Sequence, residues 1–184
     1  MKTRKFLAVA ILALAFGFTS FAQKTVMVGG AAMYPNKNII ENAVNSKDHT
    51  TLVAAVKAAD LVETLKGKGP FTVFAPTNEA FDKLPKGTVE TLLKPENKKM
   101  LQNILTYHVV AGKWSAAAIA KAIKAGKGKA TIKAVNGGTL TAWMEGKDLY
   151  ITDEKGDKSK VTIADVNQSN GVIHVVDAVL LPKK

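Results

Sequence analysis

The sequence has no cysteine among its 184 residues, and Arg4 is its single arginine. The lack of cysteine excludes disulfides, thiolate zinc sites, iron–sulfur clusters, cysteine nucleophiles and a lipid anchor on cysteine. Because arginine is so scarce, the basic charge comes from lysine, which holds an anion as a point charge and lacks the bidentate fork of arginine. We therefore expect no sequence-specific binding to nucleic acid.

Acidic residues are missing from residues 97–144, although this stretch contains eight lysines. The lysines are Lys98, Lys99, Lys113, Lys121, Lys124, Lys127, Lys129 and Lys133. The whole chain has a formal net charge of +11. We expect this stretch to create a basic surface that attracts acidic glycans, anionic lipid headgroups or acidic proteins. The alternative is that the lysines are scattered over solvated faces and only keep the protein soluble.

The sequence also lacks the common catalytic and cofactor motifs. Gly-x-Ser-x-Gly is absent, and the Gly-Lys pairs lack the Ser/Thr and the upstream glycines of a phosphate-binding loop. His49, His108 and His174 lie far apart, without the spacing of metal ligands. We predict no catalytic residue, no metal site and no cofactor. The alternative is a hydrolase that uses the histidines.

The first 22 residues have the pattern of a secretory signal peptide. A basic start precedes an apolar run at 6–18, and small residues lead to Ala22. The apolar run is shorter than the roughly 20 residues that span a bilayer. We predict a cleaved signal at 1–22, an extended leader at 23–37 and one domain at 38–182, without a transmembrane segment after cleavage. The protein is expected to be secreted, either to a periplasm or out of the cell.

Helical patterns come first in the chain and strand patterns cluster late. Apolar spacing predicts helices within 39–66 and 78–125, with Asp48, Thr77 and Ser115 as N-caps. Strands are predicted at 71–75, 131–135, 140–144, 148–152, 161–166 and 172–181. An Asn-Gly turn at 136–138 predicts a hairpin. This order favours an α+β fold over a parallel doubly wound sheet.

Two of the histidines are predicted to be structural. His108 continues the apolar stripe of its helix and His174 lies in the most hydrophobic strand, so both are expected to be buried and hydrogen-bonded. A general-base role would require an acidic or hydroxyl partner in an open cleft. Tyr107, next to the inward stripe, is expected to present its ring edge and hydroxyl outward.

The two tryptophans lie near basic residues. Trp114 is beside Lys113, and Trp143 ends a predicted strand close to the acid-free stretch. Aromatic rings that stack on sugar faces, with lysine nearby for a carboxylate or sulfate, would make a glycan site. The alternative is that both tryptophans belong to the core.

Three segments resemble the conserved blocks of the fasciclin domain family. They are residues 69–81 (GPFTVFAPTNEAF), Tyr107-His108, and residues 170–182 (NGVIHVVDAVLLP). The motif positions in the two long blocks are Phe74, Pro76, Thr77, Asn78, Phe81, Asn170, Gly171, His174 and Asp177. The order and spacing of the blocks fit a single copy.

The resemblance implies an α+β fold in which a wedge of β-strands packs beside a helical layer. It also implies a secreted or surface-attached adhesion or matrix module that binds proteins or polysaccharides, and enzymatic activity is not characteristic. In animal members the Tyr-His region is associated with integrin contact, which corresponds here to Tyr107 and His108. A signal peptide followed by one cysteine-free domain indicates a bacterial envelope protein.

The leading hypothesis is a secreted or cell-surface adhesion module that contacts an extracellular polysaccharide or a matrix or envelope component, and an anionic polysaccharide is the preferred ligand. The candidate binding residues are Tyr107, His108, Lys113, Trp114, Lys121, Lys124, Lys127 and Lys129. The alternative is a protein-contact or self-associating module, in which Tyr107 and the loops near 74–81 form an apolar patch. An oligomer is compatible with either hypothesis.

Overall fold

A computed structural model describes residues 25–183. The predicted signal peptide at 1–22 lies outside the described residues. The helices are α1 (Ile39–Ala43), α2 (Thr50–Ala58), α3 (Val62–Lys66), α4 (Asn78–Asp82), α5 (Thr88–Leu92), α6 (Lys98–Tyr107) and α7 (Ala116–Ala125). The strands are β1 (Val26–Val28), β2 (Ala31–Met33), β3 (Phe71–Pro76), β4 (Val109–Ala111), β5 (Lys129–Lys133), β6 (Thr139–Glu145), β7 (Asp148–Thr152), β8 (Lys158–Gln168) and β9 (Gly171–Val176).

Seven of these strands form one mixed sheet in the order β4-β3-β9-β8-β7-β6-β5. Within it β3 and β9 run parallel, and the other neighbouring pairs are antiparallel. The sheet curls so that its two edges approach each other. At this point Val110 of β4 bridges Ala134, and the Val135 amide donates to the Val109 carbonyl at 2.8 Å. The α+β prediction is confirmed.

The core consists of two apolar clusters that share β3 and β9. One cluster packs helices α1 to α6 against Val73, Ala75 and Val175, and the other fills the curl of the sheet around Phe74 and Val176. Side chains alternate across a strand, so a strand between two apolar layers is apolar at every position. All six residues of β9 are buried, as its sequence predicts.

Local signals define several helix starts. Thr77 accepts a hydrogen bond from the Ala80 amide, and Ser115 accepts one from the Ala118 amide, as predicted for N-caps. The predicted cap at Asp48 is wrong, because Asp48 lies within a 3₁₀ turn and His49 is the residue before α2.

The segment expected to be an extended leader is part of the fold. Strands β1 and β2 form a hairpin whose Val28 and Met33 are buried in the helical cluster. The side chain of Asn42 in α1 holds the end of this hairpin: its Oδ1 accepts from the Tyr34 amide at 2.9 Å and its Nδ2 donates to the Tyr34 carbonyl at 2.8 Å. Asn42 also donates to the side chain of Gln168 in β8.

Candidate functional site

Tyr107 is completely buried, so the expectation that it faces outward is wrong. Its hydroxyl donates to the Thr139 carbonyl at 2.7 Å and accepts from the Glu154 amide at 3.0 Å. Burial raises the pKa of Tyr107 to about 12. The ring belongs to the cluster inside the curled sheet. Tyr107 therefore joins α6 to the strands and offers no surface to a partner.

The burial predicted for His108 and His174 is confirmed. His108 donates from Nδ1 to the Ile104 carbonyl at 2.8 Å, and its Nε2 accepts from the Leu180 amide at 2.9 Å. His174 donates from Nε2 to the Trp114 carbonyl at 2.7 Å. Both ring nitrogens of His108 are thus used in the interior, which leaves this candidate binding residue no contact with a ligand.

Burial also sets the protonation of the histidines. It lowers the pKa of His108 to about 4 and lowers the pKa values of His174 and His49 from their usual range. A cavity of about 80 Å³ borders His49 and His108, but only apolar atoms line it. His49 and His108 therefore border an apolar cavity rather than a polar cleft.

The apolar contact surface expected near residues 74–81 is not formed. Phe74 is completely buried and Phe81 is 7% exposed. Phe74 stacks on His174 with ring centroids 5.7 Å apart. Since Tyr107 is also buried, this hypothesis for a protein-contact patch is wrong.

The other motif residues connect separate segments of the fold through hydrogen bonds and close packing. Asn78 accepts from the Thr51 amide and donates to the Lys47 carbonyl, which joins α4 to the start of α2. Asn170 accepts from the Ile39 amide and Asp177 accepts from the Lys160 amide. A Cβ on Gly171 would lie 2.1 Å from the Phe71 carbonyl oxygen, so that only glycine fits between β3 and β9 there.

The lysine-rich stretch is divided among separate surfaces. Helix α7 packs Ile119 and Ile123 into the sheet, while Lys121 and Lys124 are exposed on its outer side. Along β5 burial alternates, so Lys129 and Lys133 lie on the face of the sheet opposite to the packed one. Lys127 lies in the turn between them, with a φ of 55°.

Trp114 is half-buried and serves the fold. Its amide donates to Thr72 Oγ1 at 2.8 Å, and its ring nitrogen donates to the Ala111 carbonyl at 3.3 Å. Its own carbonyl receives the His174 ring proton. These contacts place Trp114 in the connection between β4 and α7.

An aromatic pair that the sequence analysis did not join lies on the outer face of the sheet. Trp143 of β6 is the register partner of Tyr150 of β7, and the two half-buried rings stack with centroids 5.0 Å apart. The Trp143 ring nitrogen donates to Thr152 Oγ1 at 2.9 Å, which fixes the orientation of the indole.

Lysines surround this pair. Lys158 Nζ lies 5.8 Å from the Trp143 ring centroid and 5.4 Å from that of Tyr150. Lys129 is the register partner of Trp143 on the other side. We call Lys129, Trp143, Tyr150 and Lys158 the aromatic face.

The remaining charges close to the aromatic face are mixed. Lys160 pairs with Asp148 at 2.7 Å, and this carboxylate raises the lysine's pKa. Glu145 lies opposite Asp148 at the hairpin end. Among residues 25–183, neither Lys129 nor Lys158 forms an ion pair. Both ammonium groups are therefore available to an anion beside the rings.

The sequence and the fold of the whole domain have relatives among known proteins. The model of the fasciclin domain matches residues 47–182. The chain belongs to the fasciclin domain family. Its structure resembles a FAS1 domain pair from the insect cell adhesion molecule fasciclin I, with a TM-score of 0.71 and 18% identity, over 80% of this chain and 51% of that chain.

Bacterial members of the family are similar in sequence. Protein sll1483 of Synechocystis sp. is 50% identical over 87% of this chain and 82% of its own length. The immunogenic protein MPB70 of Mycobacterium bovis is 35% identical over 76% of this chain and 66% of its own length. The cell surface glycolipoprotein MPB83 of the same species is 32% identical over 88% of this chain and 68% of its own length.

The chain is thus related to a cell surface glycolipoprotein and shares its fold with a cell adhesion molecule. Within residues 25–183, no helix has both the length and the apolar character needed to cross a bilayer.

Proposed function

We propose that this fasciclin domain is an exported, non-catalytic binding module whose aromatic face holds an anionic polysaccharide. The supporting observation is the stacked pair of Trp143 and Tyr150 with Lys158 above both rings. Aromatic rings offer apolar contact to the C–H faces of sugars, and the neighbouring ammonium groups attract carboxylate or sulfate groups. This location replaces the stretch around Trp114 as the favoured site.

Each contact of this kind is weak. An exposed ion pair contributes about 0.2–1 kcal/mol, and a cation over an exposed ring about 0.5–1 kcal/mol. A single saccharide would therefore dissociate readily. A repetitive polymer offers many equivalent segments, and several modules on one chain gain from effective concentration. We expect avid retention on polymers and weak binding of short oligosaccharides.

The proposal is tested by retention on an immobilised polyuronate and on a neutral glucan at increasing salt. We expect retention on the polyuronate only, with loss as the Debye length shortens from about 10 Å at 0.1 M salt to about 3 Å at 1 M. The variants Trp143→Ala and Lys129→Gln/Lys158→Gln should elute at lower salt.

A matched control is Lys121→Gln/Lys124→Gln, which removes the same charge from the outer side of α7. It should elute close to the unsubstituted protein. Equal loss in both double variants would show that net charge alone governs retention. Unchanged retention of Trp143→Ala would remove the aromatic face from the proposal.

A further inference from the structure

A second basic feature is a cleft of about 500 Å³ beside the starts of β3 and β9. Asn38, residues 66–70, Lys113 and residues 168–171 line it, and its lysines are Lys66, Lys68 and Lys113. We call it the lysine cleft. No carboxylate is among the described residues that line it. Glu63, which does not line the cleft, pairs with Lys66 at 2.9 Å, and the side chains of Glu63 and Lys66 are 84% and 40% exposed.

The fold brings these lysines together from two distant segments. Lys66 ends α3 and Lys68 follows it, whereas Lys113 follows β4. Phe71 of β3 is in register with Ala111 on one side and Gly171 on the other, so the loops beyond these positions meet at one end of the sheet.

The loop that carries Lys66 and Lys68 is held in place. The side-chain amide of Asn170 donates to the carbonyls of Leu65 at 2.8 Å and Gly67 at 3.0 Å. Asn170, a residue of the third block noted in the sequence, thus holds the backbone on which Lys66 and Lys68 are carried.

The lysine cleft is remote from the aromatic face. Gly171 and Val176 are five residues apart in β9, or about 17 Å at 3.3 Å per residue. Val176 of β9 pairs with Val161 of β8. The neighbouring residue in β8, Lys160, is the register partner of Tyr150 in β7. With about 10 Å across the two strand spacings from β9 to β7, the two features lie about 20 Å apart.

We infer that the lysine cleft is a second anion site, which takes a carboxylate or sulfate group of an acidic saccharide. Concave surfaces of one charge focus the electrostatic potential. Among residues 25–183, no carboxylate lines the cleft and Lys68 and Lys113 form no ion pair, whereas Lys66 shares its charge with Glu63. Lysine does not impose the planar geometry of a guanidinium fork, so either anion fits. The saccharide class rests on the proposed function. One domain would then hold two anionic segments at once.

The test is a titration of the isotope-labelled protein with disaccharides, followed by amide chemical shifts. The probes are a uronic acid disaccharide, a sulfated disaccharide and a neutral disaccharide, all too short to connect the two sites. We expect the anionic probes to shift two separate groups of amides, one near 143–158 and one near 66–70 and 170–171. The neutral probe should leave the second group unshifted.

Three variants separate the sites. Lys66→Gln/Lys68→Gln/Lys113→Gln should lose the shifts at 66–70 and 170–171 and keep those near 143–158. Trp143→Ala/Lys158→Gln should show the converse. Lys86→Gln/Lys94→Gln/Lys99→Gln removes three exposed lysines from elsewhere and should keep both groups of shifts.

The outcomes distinguish the two proposals. Shifts restricted to 143–158, insensitive to the cleft variant, overturn the lysine cleft and leave the aromatic face. Shifts restricted to the cleft overturn the aromatic face and leave the second site. Shifts that weaken equally in all three variants, or no shifts at all, overturn both.

Discussion

At the scale of single residues, the buried rings of His108 and His174 are held by specific hydrogen-bond partners. The ring of His108 forms hydrogen bonds with two segments, the last turn of α6 and the residues after β9. Such a ring must stay neutral, because a second ring proton would face the Leu180 amide rather than an acceptor. His108 therefore contributes to the stability of the domain in its neutral form.

This role predicts a pH dependence of stability. The folded pKa of His108 is about 4, below the usual value of 6.5. The unfolded state therefore binds more protons between these values, so the stabilisation is complete above pH 6.5 and is lost as the pH falls towards 4. We expect His108 to account for a fall of about 2 kcal/mol in the free energy of unfolding between pH 7 and pH 5.

Urea unfolding at the two pH values measures this fall. The variant His108→Gln cannot titrate and should show a correspondingly smaller difference between pH 7 and pH 5, although it is less stable at pH 7. An equal pH difference in both proteins would contradict the neutral, buried state of His108.

Tyr107 shows why residue orientation was harder to predict. Its neighbour His108 continues the apolar stripe of α6, which suggested that Tyr107 faces solvent. The end of α6 instead lies between the two apolar clusters: Leu105 packs in one and Tyr107 in the other. A helix end buried on both sides has no outward position, and the stripe alone does not reveal a second layer.

At the scale of elements, local signals predicted most helices and strands. Thr77 and Ser115 cap their helices, and the Asn-Gly turn at 136–138 connects β5 to β6. Non-local pairing was not predictable in this way. Trp143 and Tyr150 meet through the register of β6 and β7, and sequence alternation gives the face of each residue but not its cross-strand partner.

The β1–β2 hairpin was also missed, because three-residue strands give too short a pattern. Its attachment through Asn42 predicts the effect of Asn42→Ala. This change leaves the part-buried backbone amide and carbonyl of Tyr34 and the buried side-chain oxygen of Gln168 without their partner, so we expect a loss of about 1–3 kcal/mol in the free energy of unfolding.

Hydrogen exchange locates this effect. Amides at 26–34 should exchange faster in Asn42→Ala than in the unsubstituted protein, whereas amides of β6 and β7 should change only as far as global stability does. Exchange that rises uniformly along the chain would show that the hairpin is not a separate element.

At the scale of the whole molecule, β3 and β9 join the two clusters. Neighbouring residues of β3 belong to different clusters: Val73 to the helical one and Phe74 to the one within the curled sheet. Loss of either cluster therefore exposes one face of the same two strands. We expect the domain to unfold as one cooperative unit.

Two probes report on different parts of the molecule. Trp114 and Trp143 lie in or beside strands of the large sheet, so their fluorescence reports on the sheet. The helices α1 to α6 dominate the far-UV circular dichroism, which reports on the helical layer. The urea midpoints from tryptophan fluorescence and from circular dichroism at 222 nm should coincide. A fluorescence change that clearly precedes the loss of helix would indicate that the two clusters unfold separately.

Strand β5 lies at one edge of the sheet. The bridge between Val110 and Ala134 closes this edge only after the end of β5. The open part carries Lys129 and Lys133, and charged side chains on an edge prevent pairing with the backbone of another molecule. A polyanion that neutralises these lysines would remove this protection. Ligand density would then control whether neighbouring copies remain apart or extend their sheets into a shared assembly.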